Sequence, residues 1–340
     1  MATPVLTVEH LSVEYKSARG QVKAIRDVSF EVLPGQATAF IGESGCGKTT
    51  LALSLVRLLP TGGRVTGGQI TFHKGTTAVN VLNLPAPALR RYRWADCAMV
   101  FQSALNALNP VLRISSQVQD TARAHGERDA KKTERRALEL FERVRLDPDR
   151  VYNAYPHELS GGMRQRVLIA LGVLLDPQVV IMDEPTTALD VLTQRTVIDV
   201  LNELRTQMGF ALLFISHDLS MAAELAQRLI TMYAGQIVEN GPVESVFYAP
   251  MHPYTLGLLR AAPTLTGGRE ELNSIPGSPP DLINPPIACP FAARCPYVRP
   301  ICTEQMPPLE AHDAAREHLS ACHFWPEAMA ARKSAATVAR

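Results

Sequence analysis

The stretch "ATAFIGESGCGKTTLALSLVRLL", residues 37 to 59, constrains the chain more than any other, because it passes from a short apolar strand through a glycine-rich loop into an amphipathic helix. Within it "GESGCGKT", Gly42 to Thr49, fits G-x-x-x-x-G-K-T. Glycines at those positions let backbone N–H groups close around phosphate oxygens, Lys48 can neutralise phosphate charge, and the Thr49 hydroxyl can ligate Mg²⁺. The strand before the loop and the helix after it argue against a chance glycine-rich turn. A phosphate loop alone names no function.

The same α/β grammar recurs along the chain. Residues 4–15 and 21–32 mix apolar and polar positions with many β-branched residues, which predicts paired antiparallel strands. "CAMVFQ", "VVIMDE" and "ALLFIS" have the continuous hydrophobicity of strands buried on both faces, as in parallel sheets flanked by helices. Residues 115–175, with patterns such as "DAKKTERRALELFERV", predict a mainly helical insertion. After residue 245 the pattern changes: "SIPGSPPDLINPPIACP" carries six prolines in seventeen residues, which forbids regular helix and predicts a stiff, extended connection. "EAMAARKSAATVAR" reads as a disordered tail.

Composition narrows the partners. With 34 Lys and Arg against 33 Asp and Glu in 340 residues, the balance argues against affinity built mainly on neutralising nucleic-acid phosphates. The start, "MATPVLTVEHLSVEYK", lacks the basic, apolar, small-residue order of a secretory signal, and "VLIALGVLL" at 167–175 is about half the length that spans a bilayer. The expectation is a soluble, cytoplasmic chain. Three of its six cysteines fall in "CPFAARCPYVRPIC", residues 289–302. A disulfide knot, a zinc site, an iron–sulfur cluster and chance are all open readings, and a reducing cytoplasm leans the choice towards metal.

Two further motifs carry chemistry. "VVIMDE" delivers Asp183 and Glu184 to the carboxyl end of a buried strand, where ligands bind in such sheets. Asp183 would hold Mg²⁺ through water, and Glu184 could accept a proton from an attacking water. "LSGGMRQR", residues 159–166, sets Ser160, Gly161 and Gly162 before a long apolar helix, offering a hydroxyl, bare amides and a helix N-terminus to a phosphate. His217 follows in "FISHDLS".

As an ordered set, these motifs resemble the ATP-binding cassette family over roughly residues 5–245. The resemblance implies a P-loop NTPase fold with an antiparallel β subdomain, a RecA-like core and a helical signature subdomain at about 103–175. It assigns Gly42, Glu43, Ser44, Gly45, Cys46, Gly47, Lys48, Thr49 and Thr50 to the nucleotide, with Tyr15 stacking on adenine. Thr49, Gln102 and Asp183 fall on the Mg²⁺ ligands, and Glu184, His217 and Gln102 on the catalytic positions. Leu159, Ser160, Gly161, Gly162 and Met163 match the signature, with Met163 where glutamine is commoner, and Ala188 to Asp190 match the D-loop. In this family two cassettes pack head to tail, so the signature of one chain serves the other's ATP.

Among cassette proteins, ribosome-acting members usually carry two cassettes per chain, and DNA-repair members carry long coiled coils or inserted zinc modules. This chain has one cassette and neither feature. "HPYTLGLLRAAP" at 252–263, "LSGGMRQRV" and "EPTTALDV" are similar to the dipeptide and oligopeptide permease ATPases, whose relatives also carry nickel, glutathione or oligosaccharides. The resemblance implies a second ATPase subunit, commonly of different sequence though a copy of this chain stays open, two membrane permeases, an external binding protein, and a place on the cytoplasmic face of the membrane without a span of its own. It divides the chain into a cassette (1–245), a connecting helical segment (246–273), a small Cys-rich extension (274–326) and a tail (327–340). Cys289, Cys295, Cys302 and Cys322, spaced x5, x6 and x19, match positions that hold a [4Fe–4S] cluster in this branch, with zinc as the alternative. Cys46 and Cys97 are expected to be ordinary loop or packing residues.

Overall fold

A computed structural model describes residues 3–101, 107–187, 189–261, 275–312, 317–328 and 330. Twelve strands are present among them: β1 (Leu6–Ser17), β2 (Gly20–Val32), β3 (Ala37–Ile41), β4 (Gly63–Lys74), β5 (Thr77–Asn80), β6 (Cys97–Val100), β7 (Val179–Asp183), β8 (Ala211–Ile215), β9 (Arg228–Tyr233), β10 (Gln236–Pro242), β11 (Glu310–Ala311) and β12 (Leu319–Ser320). The chain divides into two compact units, one of residues 1–7, 31–37 and 71–215, the other of 8–30, 38–70 and 216–340.

In the first unit β7 lies between β6 and β8, parallel to both. All five residues of β7 and of β8 are buried, as their unbroken apolar runs require when a sheet is covered on both faces. The predicted helical stretch is realised as four helices, Ile114–Ala124, Ala130–Arg143, Pro148–Asn153 and Gly161–Gly172. The second of these begins where the Asp129 carboxylate accepts from the Lys131 and Lys132 N–H groups, and it buries Thr133, Ala137, Leu140 and Phe141, one stripe at helical spacing.

In the second unit the strands run β11-β12-β10-β9-β3, and β3 pairs parallel with β9 from Thr38 opposite Arg228 to Ile41 opposite Thr231. The helix Lys48–Leu55 follows β3. The C-terminal residues pack into this unit. β12 pairs antiparallel with β10 (Glu239 opposite Ser320), and Tyr233, Tyr254 and Phe291 form a buried aromatic cluster with ring centroids 4.5 to 5.4 Å apart.

The proline-rich stretch, predicted as a stiff, extended connection, is over its described residues 275–290 a strap hydrogen-bonded to the rest of this unit. Prolines keep their carbonyls, and the strap's carbonyls are used: the Lys23 N–H donates to Leu282 O at 2.9 Å and the Arg26 guanidinium to Pro286 O at 2.9 Å. Of the tail expected from 327, Ala328 is fully buried and Glu327 pairs with Arg299 at 2.7 Å; residues 331–340 lie outside the described residues. Among the described residues no helix is long and apolar enough to cross a membrane.

Candidate nucleotide site

The loop after β3 needs its glycines. Gly42 sits at φ 146°, and a Cβ there would come 2.2 Å from the Met232 carbonyl oxygen; Gly47, at φ 108°, opens the helix Lys48–Leu55. Both conformations are ones that residues with a side chain rarely adopt. Lys48 is 9% exposed, and its ammonium donates to the Gly42 and Glu43 carbonyls at 2.7 and 3.0 Å. The lysine thus bridges the loop it would neutralise for phosphate. Cys46 is buried 3.6 Å from the Lys48 ammonium, and burial pushes its thiol up. Tyr15 lies beside the same helix, its hydroxyl 3.4 Å from Thr50 Oγ1 and its ring where a side chain on Gly63 would stand.

His217 is placed with this loop. The Ser216 N–H donates to Phe40 O at 3.2 Å, so the exposed imidazole begins its turn next to the end of β3. Asp218 then caps the helix Leu219–Leu225 through the Ser220 and Met221 N–H groups.

In the first unit, Asp183 ends β7 opposite Ile215 and is 3% exposed. Glu184 takes φ 49°, its N–H donates to Ile215 O at 3.0 Å, and its carboxylate accepts from the Thr187 hydroxyl at 2.8 Å. A left-handed glutamate costs on the order of 1 kcal/mol or more and is held by its surroundings, as strained functional residues are.

The signature and the D-loop come together in the same unit. Exposed Ser160 caps the helix Gly161–Gly172, its hydroxyl accepting from the Met163 N–H at 3.3 Å. Leu159 is buried beneath it, and Arg166 ties the first turn to Val144 and Arg145 carbonyls. A Cβ on Gly162 would come 2.3 Å from Thr193 Cγ2. Thr193 is itself held by Asp190, which accepts from its N–H at 3.0 Å and its hydroxyl at 2.6 Å; these bonds hold the Asp190 carboxyl below its usual range. Val191 and Leu192 beside it are 78% and 81% exposed. Gln102 and Ala188 lie outside the described residues.

Two residues that sequence reasoning passed over reach the phosphate loop from the C-terminal part of the chain. The Tyr254 hydroxyl accepts from the Glu43 N–H at 2.7 Å, and Arg294 meets the Glu43 carboxylate with both terminal nitrogens, at 2.7 and 2.9 Å. Tyr254 stands in "HPYTLGLLRAAP", which is informative as a family mark but carries no local sign of this contact.

Cys289, Cys295, Cys302 and Cys322 line one small cavity with His252 and Phe291. Burial raises the Cys295 thiol to about 11 and the Cys322 thiol to about 12, with the neighbouring cysteines adding to both. The Tyr297 and Phe324 N–H groups each lie 3.4 Å from a cysteine sulfur. Among the described residues no group of three or more His, Cys, Asp or Glu stands in an arrangement that would hold a single metal ion. Cys97 is a packing residue, fully buried with its thiol raised to about 12.

The chain carries both features that the resemblance to the ATP-binding cassette ATPases rests on, a lysine-bearing glycine loop and a serine-capped helix end that faces solvent. Similarity to known proteins agrees. Residues 25–187 match the ABC transporter family and residues 238–302 the oligopeptide/dipeptide transporter C-terminal region. A dipeptide transport ATP-binding protein of Caldanaerobacter subterraneus is 40% identical over 324 residues, covering 95% of this chain and 98% of that protein. A putative peptide import ATP-binding protein of Brucella abortus is 41% identical over 333 residues, with 95% and 98% covered. The dimeric structure of a bacterial ABC transporter cassette superposes with a TM-score of 0.61 at 24% identity, over 70% of this chain and 98% of that one. The chain belongs to the ABC transporter ATP-binding proteins, on their oligopeptide/dipeptide branch.

Proposed function

We propose that this chain is the ATP-hydrolysing motor subunit of a peptide importer, working at the cytoplasmic face of a membrane beneath two permease subunits and fed by an external binding protein. Its cassette is residues 1–245, with 246–273 leading into the extension at 274–326. Lys48 and the loop amides would bind the phosphates, Glu184 would take the proton of the attacking water, and His217 and Gln102 would order that water. Thr49, Asp183 and Gln102 offer the hydroxyl, carboxylate and amide oxygens that suit Mg²⁺, which would neutralise phosphate charge.

The carrying observation is the face made by exposed Ser160, Val191 and Leu192. A serine-capped helix end beside the apolar, solvent-facing first turn of the helix Val191–Met208 is what a second cassette subunit, of the same or different sequence, would cover. Peptide is the cargo named for the relatives, and it is assigned here on that similarity. Co-purification with its membrane partners, followed by uptake of candidate peptides, nickel, glutathione and oligosaccharides in the reconstituted complex, tests the assignment. Peptide uptake that requires ATP is the expected result. Cofractionation with ribosomes or DNA in place of permeases would replace it.

The four thiols around one cavity, which His252, His323 and apolar side chains complete, would suit a [4Fe–4S] cluster that crosslinks the extension. Cys289, Cys295, Cys302 and Cys322 would be its ligands. Bound there, the cluster would crosslink the extension through the four cysteine thiolates and would supply no step of ATP hydrolysis. Anaerobic purification should give brown protein absorbing near about 400 nm. Colourless protein with stoichiometric zinc would keep the ligands and change the metal.

A further inference from the structure

The loop that receives the nucleotide carries its own negative charge. Glu43, its second residue, places a carboxylate among groups meant for a triphosphate, and like charges within several ångströms oppose each other by on the order of 1 kcal/mol or more near a protein surface. The structure shows what is done with that charge. Arg294 is 5% exposed at its side chain and pairs with Glu43 in a two-pronged contact.

Every N–H of the guanidinium is used. Nε donates to Pro276 O at 2.8 Å, Nη1 to Glu43 Oε2 and to the Tyr233 hydroxyl at 3.2 Å, and Nη2 to Glu43 Oε1 and to Ile275 O at 3.2 Å. That is five bonds for five donors. The strap closes round the arginine at Gly277, which sits at φ 75° with its Cβ position 3.5 Å from Arg294 Cγ. A fully bonded, buried cation in one orientation is a built feature, because leaving such a group unpaired would be costly.

The second contact fixes the backbone. Tyr254, fully buried and packed 4.5 Å from Tyr233, accepts the Glu43 N–H. Glu43 is thereby held at both its main chain and its side chain by residues more than 200 positions away. Arg294 also directly precedes Cys295, on the short turn Ala292–Arg294 whose Ala292 N–H donates to Cys289 O and whose carbonyl at Ala292 accepts from the Cys295 N–H. One turn therefore presents a cation to the phosphate loop and a thiol to the cysteine cavity.

We propose that Arg294 is a positioning residue of the ATP site: it withdraws the Glu43 charge from the phosphate loop, so that the C-terminal extension sets the affinity of the cassette for ATP. The inference rests on Gly42 to Thr49 being the ATP site, and Lys48→Ala, which should abolish binding, tests that reading separately.

Titration of Mg-ATP into the full chain by calorimetry, at low and at high salt, decides the matter. Arg294→Ala should weaken ATP binding about tenfold at low salt, because it leaves a bare carboxylate beside the phosphates, and the deficit should shrink at high salt as the repulsion is screened. Arg294→Lys should fall between the two. Adding Glu43→Gln to Arg294→Ala should restore most of the affinity, which a brace lost for packing reasons would not. In the assembled complex the effect of Arg294→Ala should fall on KM for ATP rather than on kcat. Should Arg294→Ala fail to fold, Glu43→Gln alone should bind ATP at least as tightly as the natural chain, with a changed salt dependence. Unchanged affinity in Arg294→Ala, a double variant as weak as the single, or weakened binding in Glu43→Gln alone would each overturn the proposal.

Discussion

The phosphate loop and the signature helix both offer glycines, a hydroxyl and a helix N-terminus, yet they are finished differently. The loop is closed from within its own chain: Lys48 spans its carbonyls, Tyr254 takes the Glu43 N–H, and Arg294 takes the Glu43 carboxylate. The signature is held at its base, by the close approach of Gly162 to Thr193, the grip of Asp190 on Thr193 and the bonds of Arg166 to the Val144 and Arg145 carbonyls, while Ser160, Val191 and Leu192 face solvent. One region is closed by hydrogen bonds from its own chain. The other, under the proposed pairing of two cassettes, would be half a site, and its exposed apolar residues are the kind of surface that an interface covers.

This contrast can be broken in order of expected effect. Glu184→Gln keeps the size and placement of a residue that neither region contains but both serve, so it should retain ATP and lose about 10²–10⁴ in hydrolysis by the assembled complex. Turnover at the natural rate would remove Glu184 as the base. Ser160→Arg attacks the open half alone. Nucleotide binding to the isolated chain should be unchanged while hydrolysis by the complex falls on the order of 10²-fold, the scale for losing a donor to reacting oxygens. Loss of binding in the isolated chain would show that the signature acts on its own loop, and the comparison would collapse.

Gly162→Ala tests the base of the signature. The added methyl would press on a β-branched Thr193 already held by two bonds to Asp190, and overpacking of this kind costs about 1–3 kcal/mol. Chemical denaturation should register that loss, and Thr193→Ser, which removes the offending methyl, should relieve it in the double variant. The smallest change is Tyr254→Phe. Removing one acceptor from the Glu43 N–H should weaken ATP binding by about fivefold, the worth of a single neutral hydrogen bond of about 1 kcal/mol. No change there would mean that Arg294 alone closes the loop.

Much of this arrangement is legible in the amino-acid order. The strand–loop–helix of residues 37–59, the buried strands that deliver Asp183 and Ile215, the Ser160 cap and the helix Ala130–Arg143 are written in patterns a few residues long. Such patterns specify local structure because the backbone hydrogen bonds and apolar stripes they satisfy are themselves local. The extension is not legible in the same way. Prolines exclude regular helix here, but whether their carbonyls meet water or Lys23 and Arg26 depends on how the chain returns to β2.

Arg294, at the end of the short run Pro-Phe-Ala-Ala-Arg between two cysteines, carries no periodicity that marks it as buried. Its partner lies 251 residues earlier, and its five bonds become possible only once the strap, the aromatic cluster and the phosphate loop are packed together. That this chain has a phosphate loop and a signature follows from residue order alone, because each is a local arrangement of donors. That the first is closed by the far end of the chain while the second is left open is a matter of packing, because desolvating a charge is favourable only where distant residues supply every bond it needs.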